Sequence, residues 1–283
     1  MKSIVITGAA TGIGYTTARE LIEHGYHVFG SVRKTTDAER LQAEFGEDFT
    51  PLLFDVTDIA AIEAAADQVE DALGEANLVG LVNNAGIAVT GPLMHLPLDE
   101  LRQQFEVNLF GVLAVTQAFL PLLGACDEPS DKPGRIINIS SVSGRIAYPF
   151  LGPYAASKHA LEGLSDSLRR ELMLYGIDVI LIEPGSVRTP IWDKAEQLDM
   201  SRYTDTDYAD ILVRIHQTTV DLGRQGLPPG KVSAIIRLAL ESSRPKPRYV
   251  LANNRLLGWL LPQKLPTRWF DWLLARSFGL QRK

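Results

Sequence analysis

With 283 residues, 46% hydrophobic and 22% charged, and a mean hydropathy of +0.02, the chain can bury a large core and is not disordered, collagen-like or disulfide-stapled in composition. Its 28 Lys/Arg against 34 Asp/Glu leave a net charge of −6, and its only cysteine, Cys126, excludes an intramolecular disulfide and points to a reducing compartment. No apolar run approaches the ~18 residues of a bilayer crossing, and Met1-Lys2-Ser3-Ile4-Val5-Ile6 reaches a turn at Thr7 too soon for a signal-peptide apolar region, so a cytoplasmic protein is expected.

Short β-branched runs alternate with amphipathic stretches from residue 3 to about 183. In chain order, strands are predicted at Ser3–Thr7, His27–Val32, Thr50–Phe54, Leu78–Val82, Gly134–Ile139 and Ile177–Glu183. Helices are predicted between them near 12–24, 36–46, 58–74, 98–125 and 152–175. Several strands are apolar nearly throughout, as strands covered on both faces are. Strand–helix alternation implies a parallel sheet with right-handed crossovers and ligands beyond the carboxyl ends of the strands. Gly124 to Pro133 reads as a surface loop closing the long fourth helix. Residues 190–230 show no clear strand and break the alternation. No repeat, low-complexity tract or interdomain linker is visible, so one domain over 1–250, with 190–230 as a lid region, and an extension over 251–283 are expected.

Charge is uneven along this chain. Residues 244–283 hold nine Lys/Arg and one acid, Asp271, a local charge of +8, together with Trp259, Trp269 and Trp272. The preceding residues hold 19 Lys/Arg against 33 Asp/Glu, a net charge of −14, which argues against a nucleic-acid partner. The apolar tail segments Leu256–Leu261 and Trp269–Leu274 are flanked by Arg255, Lys264, Arg268 and Arg276. Such a pattern suits an interfacial helix on an anionic bilayer, or a helix docked over the substrate entrance or on a second subunit. Docking on protein is the preferred reading, since the acidic body is a ready partner and Pro262 and Pro266 limit a long helix.

Thr7-Gly8-Ala9-Ala10-Thr11-Gly12-Ile13-Gly14 follows the first strand and opens the first helix. Glycines allow a sharp turn and close approach to a pyrophosphate, while the helix N-terminus offers N–H donors and positive dipole. The spacing is G-x-x-x-G-x-G, and a simple tight turn explains the same glycines. Asp55, followed by Val56, ends the third strand, where a carboxylate can accept from an adenine amino group or cap the helix near Asp58. Asn83-Asn84-Ala85-Gly86 ends the fourth, either as small residues that let a dinucleotide cross the sheet edge or as turn chemistry.

Ser141 follows the fifth strand, thirteen residues before Tyr154, and Tyr154 and Lys158 are i, i+4 neighbours near a helix start. A phenol of pKa ~10 has about one part in a thousand as phenolate at pH 7. Lowering it by roughly three units requires about 4 kcal/mol, much of which a partly desolvated ammonium can supply. Tyr154 then exchanges a proton with an alcohol or carbonyl oxygen that Ser141 holds. Asn108 lies inside a helix among Val107, Leu109 and Phe110, so its amide needs a specific partner. An exposed Tyr–Lys pair and paired core polar groups are the bland alternative. There is no G-x-S-x-G elbow, no H-x-x-x-H pair among the five histidines and no cysteine cluster, so no metal site is expected.

Thr7…Gly14, Asp55, Asn83-Asn84-Ala85-Gly86, Asn108, Ser141, Tyr154…Lys158 and Pro184-Gly185-Ser186-Val187-Arg188-Thr189 together resemble the short-chain dehydrogenase/reductase family over residues 1 to about 250. The last third looks most like its hydroxysteroid, retinol and long-chain aldehyde branch. The resemblance implies a single-domain, doubly wound, Rossmann-like α/β fold. Its parallel seven-stranded sheet carries helices on both faces, and here a C-terminal helical extension is added. It further implies an Asn108–Ser141–Tyr154–Lys158 tetrad in which Asn108 orders a proton-relay water. NAD(P) would lie on Gly8, Thr11, Gly12, Ile13, Gly14, Asp55, Val56, Asn83, Ala85 and Gly86. Tyr154 and Lys158 would also hold the cofactor, with Pro184, Gly185, Val187 and Thr189 lining the nicotinamide.

NAD-specific relatives carry a carboxylate at the end of the second strand. Here that stretch is Phe29-Gly30-Ser31-Val32-Arg33-Lys34, and Arg33 can pair with a 2′-phosphate. NADP(H) is therefore expected over NAD(H), although Thr11 stands where the usual helper cation would be. Ile191, Trp192, Leu198, Met200, Tyr203 and Tyr208 give the lid an apolar, aromatic surface. The expected activity is alcohol–carbonyl interconversion on a steroid, a retinoid or a medium-to-long-chain aldehyde, by a homodimer or homotetramer. The alternative is a catalytically weak NADP(H)-binding regulatory protein, or a membrane-surface protein of the same fold.

Overall fold

The computed structural model describes residues 2–126, 132–196, 199, 201–252 and 259–281. β1 (Lys2–Ile6) leads into α1 (Gly12–Ile22), β2 (Tyr26–Val32) into α2 (Thr35–Phe45), and β3 (Phe49–Leu53) into α3 (Ile59–Leu73). After β4 (Gly80–Asn83) come α4 (Leu98–Phe105), a π turn over Glu106–Phe110 and α5 (Gly111–Phe119). β5 (Arg135–Ile139), α6 (Gly152–Glu171) and β6 (Asp178–Pro184) follow. The chain then forms α7 (Ile191–Glu196), α8 (Ala209–Arg224), α9 (Pro229–Glu241) and β7 (Arg248–Leu251), and after it α10 (Leu261–Lys264) and α11 (Thr267–Phe278).

The seven strands form one sheet in the order β3-β2-β1-β4-β5-β6-β7, and every neighbouring pair is parallel. Strand order reverses between β1 and β4, which opens a crevice at their carboxyl ends. Alternate strand residues face opposite layers. Ile4, Ile6, Val28, Val82, Ile137 and Ile182 pack with α1, α2 and α9. Val5, Phe29, Leu52, Leu81, Ile136 and Val179 pack with α3 and α5. Both faces are buried, which is why these strands read as continuous apolar runs.

The helix expected over 98–125 is interrupted. The π turn centred on Asn108 separates α4 from α5, and a short 3-10 turn, Pro121–Leu123, follows. The described residues of 190–230 carry no strand, but they do hold the 16-residue helix α8. Among the described residues no helix is long and apolar enough to cross a membrane.

Candidate active site

The glycine turn and the β4 loop are stitched together at the crevice. Thr7 Oγ1 accepts from the backbone N–H of Asn84 (2.9 Å) and of Ala85 (3.0 Å). The Asn84 amide donates to the Thr7 and Gly8 carbonyls at 2.9 and 3.1 Å. Gly8 N–H donates to Ser31 Oγ (2.9 Å) and Ala9 N–H to the Ser31 carbonyl (2.8 Å), tying the turn to β2. Gly8 and Gly12 sit at φ +67° and +62°, where other residues are strained. A Cβ at Gly14 would collide with the Gly8 carbonyl and the Asn84 amide. Thr11 is the α1 N-cap, forms no side-chain cap bond, and no acid lies in the first turn. The positive end of α1 thus has no internal anion, and this cradle fits a pyrophosphate. Ile13 packs its side chain against the core, and its carbonyl accepts from Thr16 Oγ1 at 3.1 Å.

Arg33 and Asp55 meet at the ends of β2 and β3, 3.6 Å apart, both with exposed side chains. Asp55 Oδ1 accepts from Thr57 N–H and Oγ, while the α3 cap is Asp58, which accepts from Ala61 N–H. Val56 is buried, and a Cβ at Gly111 would lie 2.7 Å from its carbonyl. Asn83 is turned into the sheet, donating to Thr116 Oγ1 (3.0 Å) and Asn138 Oδ1 (2.9 Å). Its side chain supports the loop from below rather than facing the crevice. Gly86 lies over the Asn108 amide, 3.2 Å from where its Cβ would be. Across the crevice, Pro184 ends β6, Gly185 N–H donates to the Leu251 carbonyl, and Val187 bridges to Leu227. Thr189 comes back over the glycine turn, its methyl 3.3 Å from a Cβ built on Gly12.

Ser141 leaves β5 in extended conformation, and its Oγ accepts from Ser143 N–H (3.0 Å). Tyr154 stands in the first turn of α6, hydrogen-bonded to Ser141. Lys158 Nζ lies 5.8 Å from the Tyr154 ring centre and donates to the Ile139 carbonyl at 2.8 Å. Burial pushes the Tyr154 phenol up, against the Ser141 hydrogen bond that favours the phenolate. Burial also lowers Lys158 to about 8, against the attraction of Glu162. The balance therefore differs from the expected lysine-driven depression: in the protein alone, the phenol holds its proton at neutral pH. The Asn108 amide accepts from Ile87 N–H (2.9 Å) and donates to the Ile87 carbonyl (3.0 Å) and Ser157 Oγ (3.3 Å).

Of the expected lid residues, Tyr203 is buried and Trp192 packs its ring on Gly223 while donating to the Val187 carbonyl (2.8 Å). Tyr208 stacks edgewise on His95 and on Phe150. Ile191 is exposed; Leu198 and Met200 lie outside the described residues. Phe150, four residues before Tyr154, has φ +67° and accepts from Gly91 N–H at 2.8 Å. In the tail, Phe270 packs on Tyr148, while Trp269 (69% exposed) and Trp272 (57% exposed) face outward. The segment 253–258 lies outside the described residues.

Asn84, quoted in the β4 loop motif, closes the glycine turn, a role the motif does not show. Three further neighbours lie outside the motif reading. Gln104, buried four residues before Asn108, accepts from Val89 N–H (2.6 Å) and donates to the Ile87 carbonyl (3.0 Å). A second amide at i−4 on one helix face was the available signal. Ser157 Oγ lies within 3.3 Å of both amides. Arg40 reaches from α2 to the Ala10 carbonyl at 2.8 Å.

The profile of the short chain dehydrogenase family matches residues 2–199, more than two thirds of the chain. A protein of Ornithobacterium rhinotracheale named NADPH-dependent 3-dehydrocapnine reductase is 41% identical over 271 residues, covering 96% of this chain and 95% of its own. Retinol dehydrogenase 5 of Mus musculus is 33% identical over 291 residues, covering 96% and 89%. The crystal structure of a short-chain dehydrogenase from Streptomyces avermitilis superposes with a TM-score of 0.77 at 26% identity, covering 100% of this chain and 98% of that one. The chain belongs to the short-chain dehydrogenase/reductase family and is an oxidoreductase.

Proposed function

We propose that this oxidoreductase uses NADPH to reduce the carbonyl group of a hydrophobic substrate: a steroid, a retinoid or a medium-to-long-chain aldehyde. The observation that carries this reading is the placement of Tyr154 in the first turn of α6, beside Ser141 and 5.8 Å from Lys158 Nζ at the crevice, where burial pushes its phenol up. A reduced nicotinamide cofactor, when bound across the crevice, would supply the hydride. Tyr154 donates its proton to the substrate oxygen, which becomes the alcohol. Ser141, whose Oγ accepts from Ser143 N–H, would turn its one O–H from Tyr154 to that oxygen when the substrate is in place. Lys158 is held by Ile139 beneath the phenol and stabilises negative charge on Tyr154 once the proton has left. Asn108 fixes the loop after β4 through Ile87.

Gly8, Thr11, Gly12, Ile13 and Gly14 would hold the pyrophosphate; Asp55 and Val56 the adenine side; Ala85 and Gly86, with Tyr154 and Lys158, the nicotinamide ribose. Pro184, Gly185, Val187 and Thr189 would line the nicotinamide, with Asn83 as support from below. Arg33 favours NADPH because a 2′-phosphate can take the place of Asp55 as its anion. The relative named as NADPH-dependent supports this choice. A homodimer or homotetramer is proposed through α4, whose Leu98, Leu101 and Phe105 line with Phe110, Arg102 and Glu106 an open groove; light scattering of the purified protein tests it.

The deciding experiment follows nicotinamide absorbance with NADPH or NADH against aldehydes of increasing length, retinal and ketosteroids. kcat/KM should rise with chain length and be roughly tenfold or more higher with NADPH, the effect of one charge-assisted contact. A best substrate of about three or four carbons overturns the hydrophobic site. Equal efficiency with both cofactors overturns the role of Arg33, and no turnover with any carbonyl leaves the regulatory alternative.

A further inference from the structure

One turn beyond Lys158 on α6, Glu162 is 4% exposed, and Glu183 on β6 is fully buried. Two carboxylates taken out of water need compensation, and it comes from two arginines outside α6. Arg145, after the Ser141 turn, reaches Glu162 at 3.2 Å and Glu183 at 4.0 Å. Arg248 on β7 reaches Glu162 at 3.1 Å, Glu183 at 3.4 Å and Asp166 at 2.7 Å. Lys158, Arg145 and Arg248 thus face Glu162, Asp166 and Glu183, three cations to three carboxylates, with Arg169 on the outer side of Asp166 (3.2 Å). The Trp259 indole N–H faces Glu183 from the tail. Among the described residues, Glu162 Oε1 and both Glu183 oxygens are buried without a hydrogen-bond partner.

The cluster also touches the reactive turn. A Cβ at Gly144 would lie 2.8 Å from Ser140 Oγ, 3.0 Å from Glu162 Cγ and 3.2 Å from the Lys158 carbonyl. The turn opened by Ser141 therefore rests on the stem of Glu162. No charged group outside this set is placed against Lys158 by the described contacts; Tyr154 faces it from one turn back.

We propose that Glu162 is a positioning residue for the reaction: clamped by Arg145 and Arg248, its buried carboxylate keeps Lys158 charged and so sets the alkaline limit of activity. The inference rests on Lys158 acting as its cation, as proposed above. Glu162 opposes the burial that brings Lys158 down to about 8. Glu162 also joins burial in raising Glu183 to about 7, so Glu183 ionises as pH rises through neutrality and adds negative charge when Lys158 most needs it.

The test is the pH profile of kcat/KM between pH 6 and 9.5 for the full-length enzyme. Wild type should lose activity through an alkaline limb. Glu162→Gln should move that limb down by about one pH unit, the low end of what a neighbouring opposite charge does, with Glu162→Asp restoring it. Arg145→Gln, at the cluster rim, removes a cation and should move the limb up. Opposite displacements cannot come from loosened packing. Glu162→Gln and Arg145→Gln profiles lowered equally at every pH, or both moved the same way, overturn the inference while leaving the role of Lys158 intact. Should Glu162→Gln fail to fold, an unmoved Arg145→Gln limb overturns it alone. A wild-type profile flat to pH 9.5, or full activity in Lys158→Met, overturns the reading of Lys158 and the inference with it.

Discussion

The two sides of the crevice are joined by different kinds of contact. On the glycine-turn side, Thr7, Gly8, Ala9, Ser31, Asn84 and Ala85 are linked by hydrogen bonds of 2.8–3.1 Å. On the lid side, rings meet rings: Tyr208 with His95 and Phe150 at 5.9 and 5.7 Å, and Phe270 with Tyr148 at 6.4 Å. Hydrogen bonds demand direction, so the first side admits one shape of ligand. Ring contacts gain mainly from buried area and tolerate sliding, so under the function proposed above the second would accept a range of apolar substrates. On that reading one half of the site would be specific and the other accommodating.

Tyr154→Phe is the largest test, because it removes the reaction and should leave both halves standing. kcat should fall by roughly 10²–10⁴-fold, with NADPH affinity by fluorescence titration nearly unchanged; substantial remaining turnover would sink the assignment. Gly14→Ala attacks the directional half alone. Its methyl meets the Gly8 carbonyl and the Asn84 amide, so NADPH binding should weaken by about 10- to 100-fold, as overpacking of one to three kcal/mol allows. Unchanged affinity would show the turn to be plastic. Tyr208→Ala attacks the accommodating half: kcat/KM for the longest aldehyde should drop by about tenfold, the scale of one lost aromatic contact, with KM for NADPH unmoved. A parallel rise in KM for NADPH would mean the halves are coupled. Trp269→Ala with Trp272→Ala should have the smallest effect, kcat/KM for a short aldehyde staying within about twofold, since surface changes rarely propagate. Loss of sedimentation with anionic vesicles would assign that face to lipid, and loss of the dimer would assign it to a second subunit.

The directional half was legible because its constraints are local. Gly8, Gly12 and Gly14 stand where the backbone needs them, directly after a β-branched run, and Ser141, Tyr154 and Lys158 end up together as their order suggested. Asn108 was conspicuous among Val107, Leu109 and Phe110, but its partner, the Ile87 backbone, was not, because a π turn has no composition of its own. β7 is four residues long and follows Pro245 and Pro247, too short and too interrupted to show a period. α8 was hidden because Val213 and Leu222 are exposed, which blurs its apolar face. Glu183, a carboxylate between Ile182 and Pro184 in an otherwise apolar strand, was a visible signal that went unread.

The Thr7–Asn84 stitch joins residues 77 positions apart, and this has a consequence for how the protein is made. β1 acquires its β2 neighbour as soon as residue 32 is available, but its other edge stays open until β4 arrives. A nascent or refolding chain therefore carries the glycine turn long before the loop that closes it. Long-range parallel pairing is slow to form, and an uncovered apolar edge invites association with other chains. Ability to capture nucleotide should appear late in refolding, after most helical signal has returned, and a nucleotide present from the start should raise the yield of native protein without hastening its first steps.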